Sequence, residues 1–169
     1  VERDLELLPA SDAQLLQVLE VLDLAHPRYH FQDIGQRAHL AHLGQLVAEL
    51  VELMQPEAMS QSVGLRVTPD RPSPALADVR LLRQALMNLI LNAVQACPPG
   101  GAVTLLVEPR DGAYAIAVSD TGRGIAPADL PHVTEPYFSR RDGGTGLGLS
   151  IVQQIVEAHG WQLDIRSAS

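Results

Sequence analysis

The sequence predicts an α+β fold, a two-layer α/β sandwich in which helices cover one face of a mixed, mostly antiparallel sheet. Three observations predict it. Several segments repeat apolar residues at helical spacing, and others alternate apolar with polar residues as strands do. Two strand-like segments adjoin as a hairpin instead of alternating with helices, which indicates α+β organisation. Finally, 46% of the 169 residues are hydrophobic, enough for a buried core.

The N-terminal part is predicted to be helical. Ser11 or Asp12 can cap a first helix, and Pro27 ends its pattern of apolar residues at 15, 19, 22 and 25. We expect residues 1–32 to form a helical appendage and linker, and residues 33–169 to form the main domain. A second helix is predicted from Gly35 to Gln55, with one apolar side made of Leu43, Leu46, Val47, Leu50 and Met54.

The remaining elements follow from turn and cap signals. "SVGLRV" predicts a short strand and "TPDRPSPAL" a proline-rich connection. A helix capped by Asp78 extends to about Cys97. The strands "AVTLLVE" and "AYAIAVSD" form a hairpin with its turn at Asp111 and Gly112. Residues 126–144 show no period. A last helix over 147–159 ends at Gly160, and "WQLDIRS" alternates as a half-buried strand.

Composition narrows the function classes. Twenty acidic against 12 basic residues give a net charge of −8, which argues against non-specific nucleic-acid binding. The single cysteine, Cys97, excludes an internal disulfide framework and fits a reducing compartment, so we expect a cytoplasmic domain. No apolar run approaches the roughly 20 residues that span a bilayer. Because the chain starts with Val1, we expect a fragment of a longer protein, whose membrane attachment stays open.

The segment "RRDGGTGLGLSIVQQIVEAHG" places four glycines just before a helix. Glycines at 143, 144, 146 and 148 make ordering costly, but they let the backbone approach a ligand closely at a helix N-terminus, where anions bind well. The alternative is a flexible surface loop before a core helix, which the loop alone slightly favours. The spacing matches neither a Walker loop nor a dinucleotide-binding loop.

The helix after Asp78 has two different faces. One is apolar, and the other carries Gln84, Asn88, Asn92 and Gln95. Asparagine is a mediocre helix former, costing roughly half a kcal/mol relative to alanine. Two of them among leucines predict either a solvated stripe or amide oxygens directed at phosphates and a hard cation such as Mg²⁺. The helix alone does not decide between these interpretations.

Asp120 ends the core-facing row of its strand, after Tyr114, Ile116 and Val118. A buried carboxylate must be hydrogen-bonded or it costs several kcal/mol. An acceptor in an apolar pocket suits an exocyclic amine such as that of adenine. A turn or cap residue is the alternative, which a bare Asp-x-Gly would favour.

Taken together, "NLILNAVQA", "DTGRGI", "EPYFSRR" and "GGTGLGLS" are far more specific than any one of them. In this order and spacing they resemble the N, G1, F and G2 boxes of the sensor histidine kinase catalytic domain. That domain belongs to the wider gyrase, chaperone, histidine kinase and mismatch-repair ATPase superfamily. The resemblance covers about residues 33–169, and "LEVLDLAHPR" resembles the end of the second helix of the family's dimerisation domain.

The resemblance implies a site for ATP and Mg²⁺. In it, Asn92 is the main Mg²⁺ ligand, and Asn88 lies beside the phosphates as a second metal residue. Both are catalytic together with Arg141, which neutralises the γ-phosphate with the help of Arg140. The base pocket consists of Asp120, Gly122, Gly124 and Ile125. The lid and phosphate loop contain Phe138, Arg140, Arg141, Thr145, Gly146, Leu147 and Gly148. The implied reaction transfers the γ-phosphoryl of ATP to a histidine on a dimerisation domain, and then to a response regulator.

Two departures from the family matter. None of the six histidines is followed by an acid, so the phosphoacceptor is expected on another domain, and all six are interpreted as structural or surface residues. Relatives also continue into a further strand after "WQLDIRSAS". A homodimer of the full-length protein is compatible with the resemblance. Two alternatives remain open: an ATP hydrolase of the same superfamily, and a non-catalytic nucleotide-sensing or docking module.

Overall fold

The computed structural model describes residues 15–21, 39–68, 73–110, 113–141 and 143–167. Its elements in chain order are β1 (Leu15–Val21), β2 (His39–His42), α1 (Leu43–Ser60), β3 (Gly64–Val67), β4 (Pro74–Ala77), α2 (Val79–Ala96), β5 (Ala102–Arg110), β6 (Ala113–Asp120), α3 (Gly148–His159) and β7 (Gln162–Ser167). A single 3₁₀ turn, Leu130–His132, lies between β6 and α3.

The sheet confirms the predicted α+β class. Five strands pair in the order β3-β5-β6-β1-β7. The β3–β5 pair is parallel and the other three pairs are antiparallel. In the β5–β6 hairpin Val103 lies opposite Asp120, so the end of β6 adjoins the beginning of β5. The turn predicted at Asp111 and Gly112 lies outside the described residues.

The helices pack around α2. This helix contacts α1 and α3 and lies against the central strands β5 and β6. Its apolar side, Leu82, Leu86 and Leu89, is fully buried. Burying one such side chain contributes about 1.5–3 kcal/mol, so packing holds α2 firmly in place. The predicted apolar side of α1 is buried as well, from Leu43 to Met54.

The helix predicted over residues 11–26 is wrong where the structure describes it. Leu15–Val21 is strand β1, paired antiparallel with both β6 and β7. A short run of leucine and valine fits either period, and here the unpaired backbone groups of two neighbouring strands select the extended form. Residues 1–14 and 22–38 lie outside the described part, and the boundary after residue 32 stays a prediction.

Two further boundaries differ from prediction. α1 begins at Leu43 instead of Gly35, because the four preceding residues pair as β2 with β4. The helix also continues past Pro56 to Ser60, and Ala58 in this last turn is fully buried. The last three residues of the predicted connection, 74–76, belong to β4. Within the described ranges, no helix is both long and apolar enough to cross a membrane.

Candidate functional site

The site is organised around α2, whose start is fixed by side chains. As predicted, Asp78 caps the helix: its Oδ1 accepts hydrogen bonds from the backbone N–H groups of Arg80 at 3.0 Å and Leu81 at 3.2 Å. Such a cap stabilises a helix by about 1 kcal/mol. The N–H group of Asp78 in turn donates to Nε2 of His159 at 3.2 Å, which joins the start of α2 to the end of α3.

His159 is buried and stacks on Trp161, with ring centroids 3.9 Å apart. Its Nδ1 donates to the carbonyl of Ile155 at 2.8 Å while Nε2 accepts from Asp78, so the ring is neutral. Burial lowers the pKa of His159, although its hydrogen bond to the Ile155 carbonyl and the charge of Asp78 raise it in part. The sequence-based interpretation of His159 as a structural residue is consistent with this environment.

Asn88 and Asn92 lie half-buried on the polar side of α2, facing the beginning of α3. A β-carbon placed on Gly148, the first residue of α3, would lie 3.4 Å from Oδ1 and Nδ2 of Asn92 and 3.7 Å from Oδ1 of Asn88. Leu147, which precedes α3, supplies no side-chain cap to the helix. The open N–H groups of α3 and the two amides therefore face one another, which is the arrangement that an anion with a bound cation needs.

The residues around Asn88 and Asn92 fit a magnesium ion that is held mainly by oxygens of a bound anion and only in part by the protein. Within the described ranges there is no group of three or more His, Cys, Asp or Glu side chains that could hold a metal ion. A cation beside α3 would depend on the amide oxygens of Asn88 and Asn92 together with oxygens of the bound anion. Mg²⁺ commonly binds in this way, through few protein ligands plus substrate phosphates.

Asp120 is the most unusual polar residue of the described structure. Its side chain is 1% exposed, and Oδ1 accepts a hydrogen bond from the N–H of Gly122 at 2.8 Å. Oδ2 is buried and has no hydrogen-bond partner among the described residues. Burial raises the pKa of Asp120 to about 6, and the Gly122 hydrogen bond opposes this rise. A buried acceptor without a partner carries a desolvation cost, so it indicates a ligand donor.

The loop after Asp120 lies against the end of α2. A β-carbon on Gly122 would lie 2.6 Å from Oδ1 of Asp120 and 2.7 Å from the carbonyl of Ala96, so only glycine fits there. The N–H of Arg123 donates to the same carbonyl at 3.2 Å. Because Ala96 is one turn beyond Asn92, the carboxylate and amide sites lie along one helix, separated by a rise of roughly 6 Å. Further on, the N–H of Ile125 donates to Oγ of Ser167 in β7 at 2.8 Å.

Residues 126–147, which we call the lid segment, contain the rest of the predicted site. Its backbone folds back on itself, because the N–H of Tyr137 donates to the carbonyl of Gly146 at 2.9 Å. Gly146 has a φ of +66° and lies directly against the backbone of Tyr137 and Phe138, so a side chain there is excluded on both counts. Thr145 makes a long contact of 3.4 Å from its Oγ1 to the N–H of Leu147.

The two arginines of the lid segment have different partners. Arg140 forms a bidentate ion pair with Asp129, in which Nε donates at 3.2 Å and Nη2 donates at 2.9 Å. Its guanidinium also lies 5.6 Å from the ring centre of Phe138. The pair lowers the pKa of Asp129 and raises that of Arg140. Arg141 instead donates from Nη1 to Oε1 of Gln95 on α2.

The structure thus brings the predicted residues into two adjacent groups. In the first group, Asp120 ends β6 and Gly122, Gly124 and Ile125 follow it. In the second, Asn88, Asn92 and Gly148 lie where α2 meets α3, and Arg141 binds Gln95 on the same face of α2. Gln95 and Asp129 were not predicted as parts of the site. Their signal in the sequence is weak, because both are ordinary polar side chains and neither forms part of a motif with its arginine partner, 46 residues away for Gln95 and 11 for Asp129.

Comparison with known proteins identifies the family to which the chain belongs. Residues 77–169 match the family of histidine kinase-, DNA gyrase B- and HSP90-like ATPases. Sensor histidine kinase ZraS of Klebsiella oxytoca is 37% identical over 157 residues, which cover 90% of this chain and 31% of that protein. The chain therefore spans about a third of the length of this relative.

Two solved structures are also similar. The catalytic domain of histidine kinase ThkA, in a nucleotide-free form, has a TM-score of 0.66 and 25% identity, covering 72% of this chain and 81% of that one. Full-length ShkA in complex with AMPPNP has a TM-score of 0.64 and 31% identity, covering 73% of this chain and 26% of that one.

Proposed function

Because this chain belongs to the family of histidine kinase-, DNA gyrase B- and HSP90-like ATPases, and its relatives are sensor histidine kinases, we propose that it binds Mg·ATP between α2, α3 and the end of β6. The proposal further assigns it transfer of the γ-phosphoryl group to a histidine on a separate dimerisation domain. The observation that carries the nucleotide assignment is Oδ2 of Asp120, a buried acceptor without a partner in the described structure.

Adenine recognition follows from the state of Asp120. Its Oδ1 is already occupied by Gly122, which leaves Oδ2 for one donor. The exocyclic amine of adenine supplies such a donor, whereas guanine presents a carbonyl at that position of the ring. With guanine in the site, Oδ2 of Asp120 would face that carbonyl and stay without a hydrogen-bond donor. Leaving a buried acceptor unpaired costs binding free energy, so the site prefers adenine to guanine. Gly122, Gly124 and Ile125 form the loop against which the base lies.

Phosphate binding follows from the other end of α2. The open N–H groups of α3 around Gly148 attract the phosphates, and Asn88 and Asn92 supply amide oxygens beside them. Mg²⁺, when bound, neutralises charge on the phosphate oxygens. The glycines that precede α3 allow the backbone from Thr145 to Gly148 to close around the phosphates. Arg141 is hydrogen-bonded to Gln95 on this face of α2, and we assign its charge to the γ-phosphate.

The chemistry proposed for the site is mainly positioning and charge neutralisation. Nε2 of the acceptor histidine forms a bond to the γ-phosphorus, the bond to the bridging oxygen breaks, and ADP leaves with the electron pair. Asn88 has an amide, which cannot take a proton from water, so efficient ATP hydrolysis is disfavoured. A response-regulator aspartate would receive the phosphoryl group next. The net charge of −8 argues against non-specific binding of nucleic acid.

Calorimetry tests the nucleotide assignment. We expect Mg·ADP and Mg·ATP to bind and Mg·GTP to bind much more weakly. Asp120→Asn should weaken the binding of Mg·ADP by at least about tenfold. The substitution either directs an amide N–H donor at the base or replaces the charged acceptor with a neutral one. The matched control is Asp164→Asn, which changes a carboxylate in β7 that pairs with Arg166. This variant should bind Mg·ADP normally. Equal affinity for GTP, or an unaffected Asp120→Asn, would contradict the assignment.

Phosphotransfer is tested separately, with γ-labelled ATP. The chain alone should not become labelled, since none of its six histidines is followed by an acid. A supplied dimerisation domain that carries a histidine–acid pair should become labelled in trans. Acid-labile phosphate on the chain itself would contradict the proposal. Normal ATP binding without transfer to any supplied domain would favour the non-catalytic nucleotide-binding module.

A further inference from the structure

We propose that Gln95 is a positioning residue that holds Arg141 over the polar side of α2, ready for the γ-phosphate. The inference rests on the proposed function and deepens it. It names the residue that positions Arg141, and Arg141 is the group by which the site distinguishes ATP from ADP. The observation is the hydrogen bond from Nη1 of Arg141 to Oε1 of Gln95, which spans 46 residues of sequence and joins the lid segment to α2.

The position of Gln95 on α2 directs this contact toward the phosphate end of the site. Gln95 follows Asn92 by three residues and Asn88 by seven, so the three side chains project from one side of the helix. The start of α3 faces the two asparagines at Gly148. An arginine held by Gln95 therefore lies about one helical turn from the amides that face α3.

The chemistry of Gln95 leaves the charge of Arg141 available. An amide oxygen is a neutral acceptor and takes one of the five N–H donors of a guanidinium. The remaining donors keep the planar fork that matches phosphate. Arg140 differs, because the Asp129 carboxylate accepts from both its Nε and its Nη2 and neutralises its charge. Of the two adjacent arginines, the structure thus assigns Arg141 to the phosphate and Arg140 to the lid segment's own folding.

Preorganisation explains the expected effect. A long exposed arginine loses rotamer freedom when it binds a phosphate, and that cost lowers affinity. Gln95 restricts Arg141 before ATP arrives, so part of the ordering is already complete. Only the γ-phosphate gains from this, so the affinity for ATP should depend on Gln95 and the affinity for ADP should not.

The experiment measures dissociation constants for Mg·ADP and for a non-hydrolysable Mg·ATP analogue with the intact chain. Gln95→Ala should weaken the ATP analogue roughly threefold to tenfold, the range of one hydrogen bond, and leave ADP within about twofold. Gln95→Glu should weaken the analogue further, because its carboxylate neutralises Arg141 and repels phosphate. Gln84→Ala, an exposed glutamine eleven residues earlier on α2, is the matched control and should change neither constant.

A double-mutant cycle with Arg141→Ala completes the test. If Gln95 acts through Arg141, Gln95→Ala should have no further effect on the ATP-to-ADP ratio once Arg141 is absent. An unchanged ratio in Gln95→Ala, or equal weakening of both nucleotides, would overturn the inference. Loss of all nucleotide binding by the unmodified chain, or binding that ignores Asp120→Asn, would instead overturn the proposed function.

Discussion

The two regions that meet at the site, α2 and the lid segment, are held in opposite ways. α2 is capped by Asp78, joined to α3 through His159, and packed with its apolar side fully buried. Over its described residues the lid segment has one 3₁₀ turn and mostly exposed side chains. Its contacts include ion pairs, backbone hydrogen bonds, the cation–π contact between Arg140 and Phe138, and the hydrogen bond from Arg141 to Gln95. One region is therefore held by burial and the other by exposed polar and charged contacts.

The difference indicates how work is divided at the site. Burial keeps Asn88, Asn92 and the end of α2 in place without a ligand, so in the proposed site this region would bind the nucleotide at low ordering cost. Exposed ion pairs contribute little to stability and are weakened by salt. The lid segment can therefore change its contacts when a ligand offers better ones, as closure over a substrate requires.

The largest effect on stability is expected from a substitution that breaks the contact between α2 and α3. His159→Ala removes the stack on Trp161, the acceptor for the Asp78 N–H and a buried side chain, so we expect a loss of about 2–4 kcal/mol in the free energy of unfolding. His132→Ala in the lid segment is the matched control and should stay within about 0.5 kcal/mol. Denaturant titration measures both. Similar losses in the two variants would mean that the regions are not held differently.

The pH dependence of stability sharpens the same contrast. The pKa of His159 is lowered from 6.5, so its contribution is complete above pH 6.5 and is lost as the pH falls through that value, where the unfolded chain binds a proton first. The pKa of Asp120 is raised from 3.8 to about 6, so its contribution has the opposite sign: stability rises as the pH falls from about 6 toward 3.8.

The variants His159→Phe and Asp120→Asn should each remove one of these two opposing trends. Unfolding measured from about pH 4 to about pH 8 checks this, because that window includes the ordinary pKa of histidine, 6.5, and the raised pKa of Asp120, about 6. We expect the difference between wild type and His159→Phe to shrink as the pH falls below 6.5. A difference that is constant across this range would contradict the assignment of a neutral His159.

Nucleotide affinity should also fall at low pH. Asp120 accepts best as a carboxylate, so below its pKa of about 6 the affinity for ADP should decrease, by at most about tenfold per pH unit. The nucleotide phosphates titrate in the same range, so the readout is the difference between wild type and Asp120→Asn. If the two profiles are parallel, protonation of Asp120 does not govern binding.

Sequence reasoning succeeded where local chemistry decides. Asp78 as a cap, the two sides of α2 and the β5–β6 hairpin follow from short-range patterns, and the structure confirms them. Asp120 is buried, as strand alternation predicts, although Ala115, Ala117 and Ser119 on the other side of β6 are buried as well. The glycine at 160 ends α3 with a φ of +66°, as its cap position predicts. In each case the deciding residues lie within a few positions of one another.

It failed where distant partners decide. Residues 15–21 form a strand because β6 and β7, about 100 and 150 residues away, each offer an edge, and the short apolar run itself does not distinguish helix from strand. Neighbouring Arg140 and Arg141 look equivalent in sequence, yet one binds Asp129 and the other Gln95. The neutral state of His159 depends on burial against Trp161 and the N–H of Asp78.

The smallest expected effect concerns the lid segment alone. Arg140→Ala removes the ion pair with Asp129 and the contact with Phe138, so amide hydrogen exchange over residues 131–144 should become faster without nucleotide. The unfolding free energy should not change measurably, because the pair is exposed. Asp129→Asn should have the same effect, and Arg166→Ala, which breaks the exposed pair with Asp164 in β7, should leave these amides unchanged.

Saturating Mg·ATP should then slow exchange over residues 131–144 in wild type and in Arg140→Ala alike, because the nucleotide offers Arg141 and the N–H groups near Gly146 stronger partners. The amides from Asn88 to Asn92 should be protected with or without nucleotide, since burial and not the ligand holds them. Before nucleotide is added, residues 131–144 should exchange faster than the amides from Asn88 to Asn92. Equal protection of the two stretches would contradict the idea that exposed contacts leave the lid segment mobile. If Mg·ATP leaves the exchange of residues 131–144 unchanged, the segment does not act as a lid.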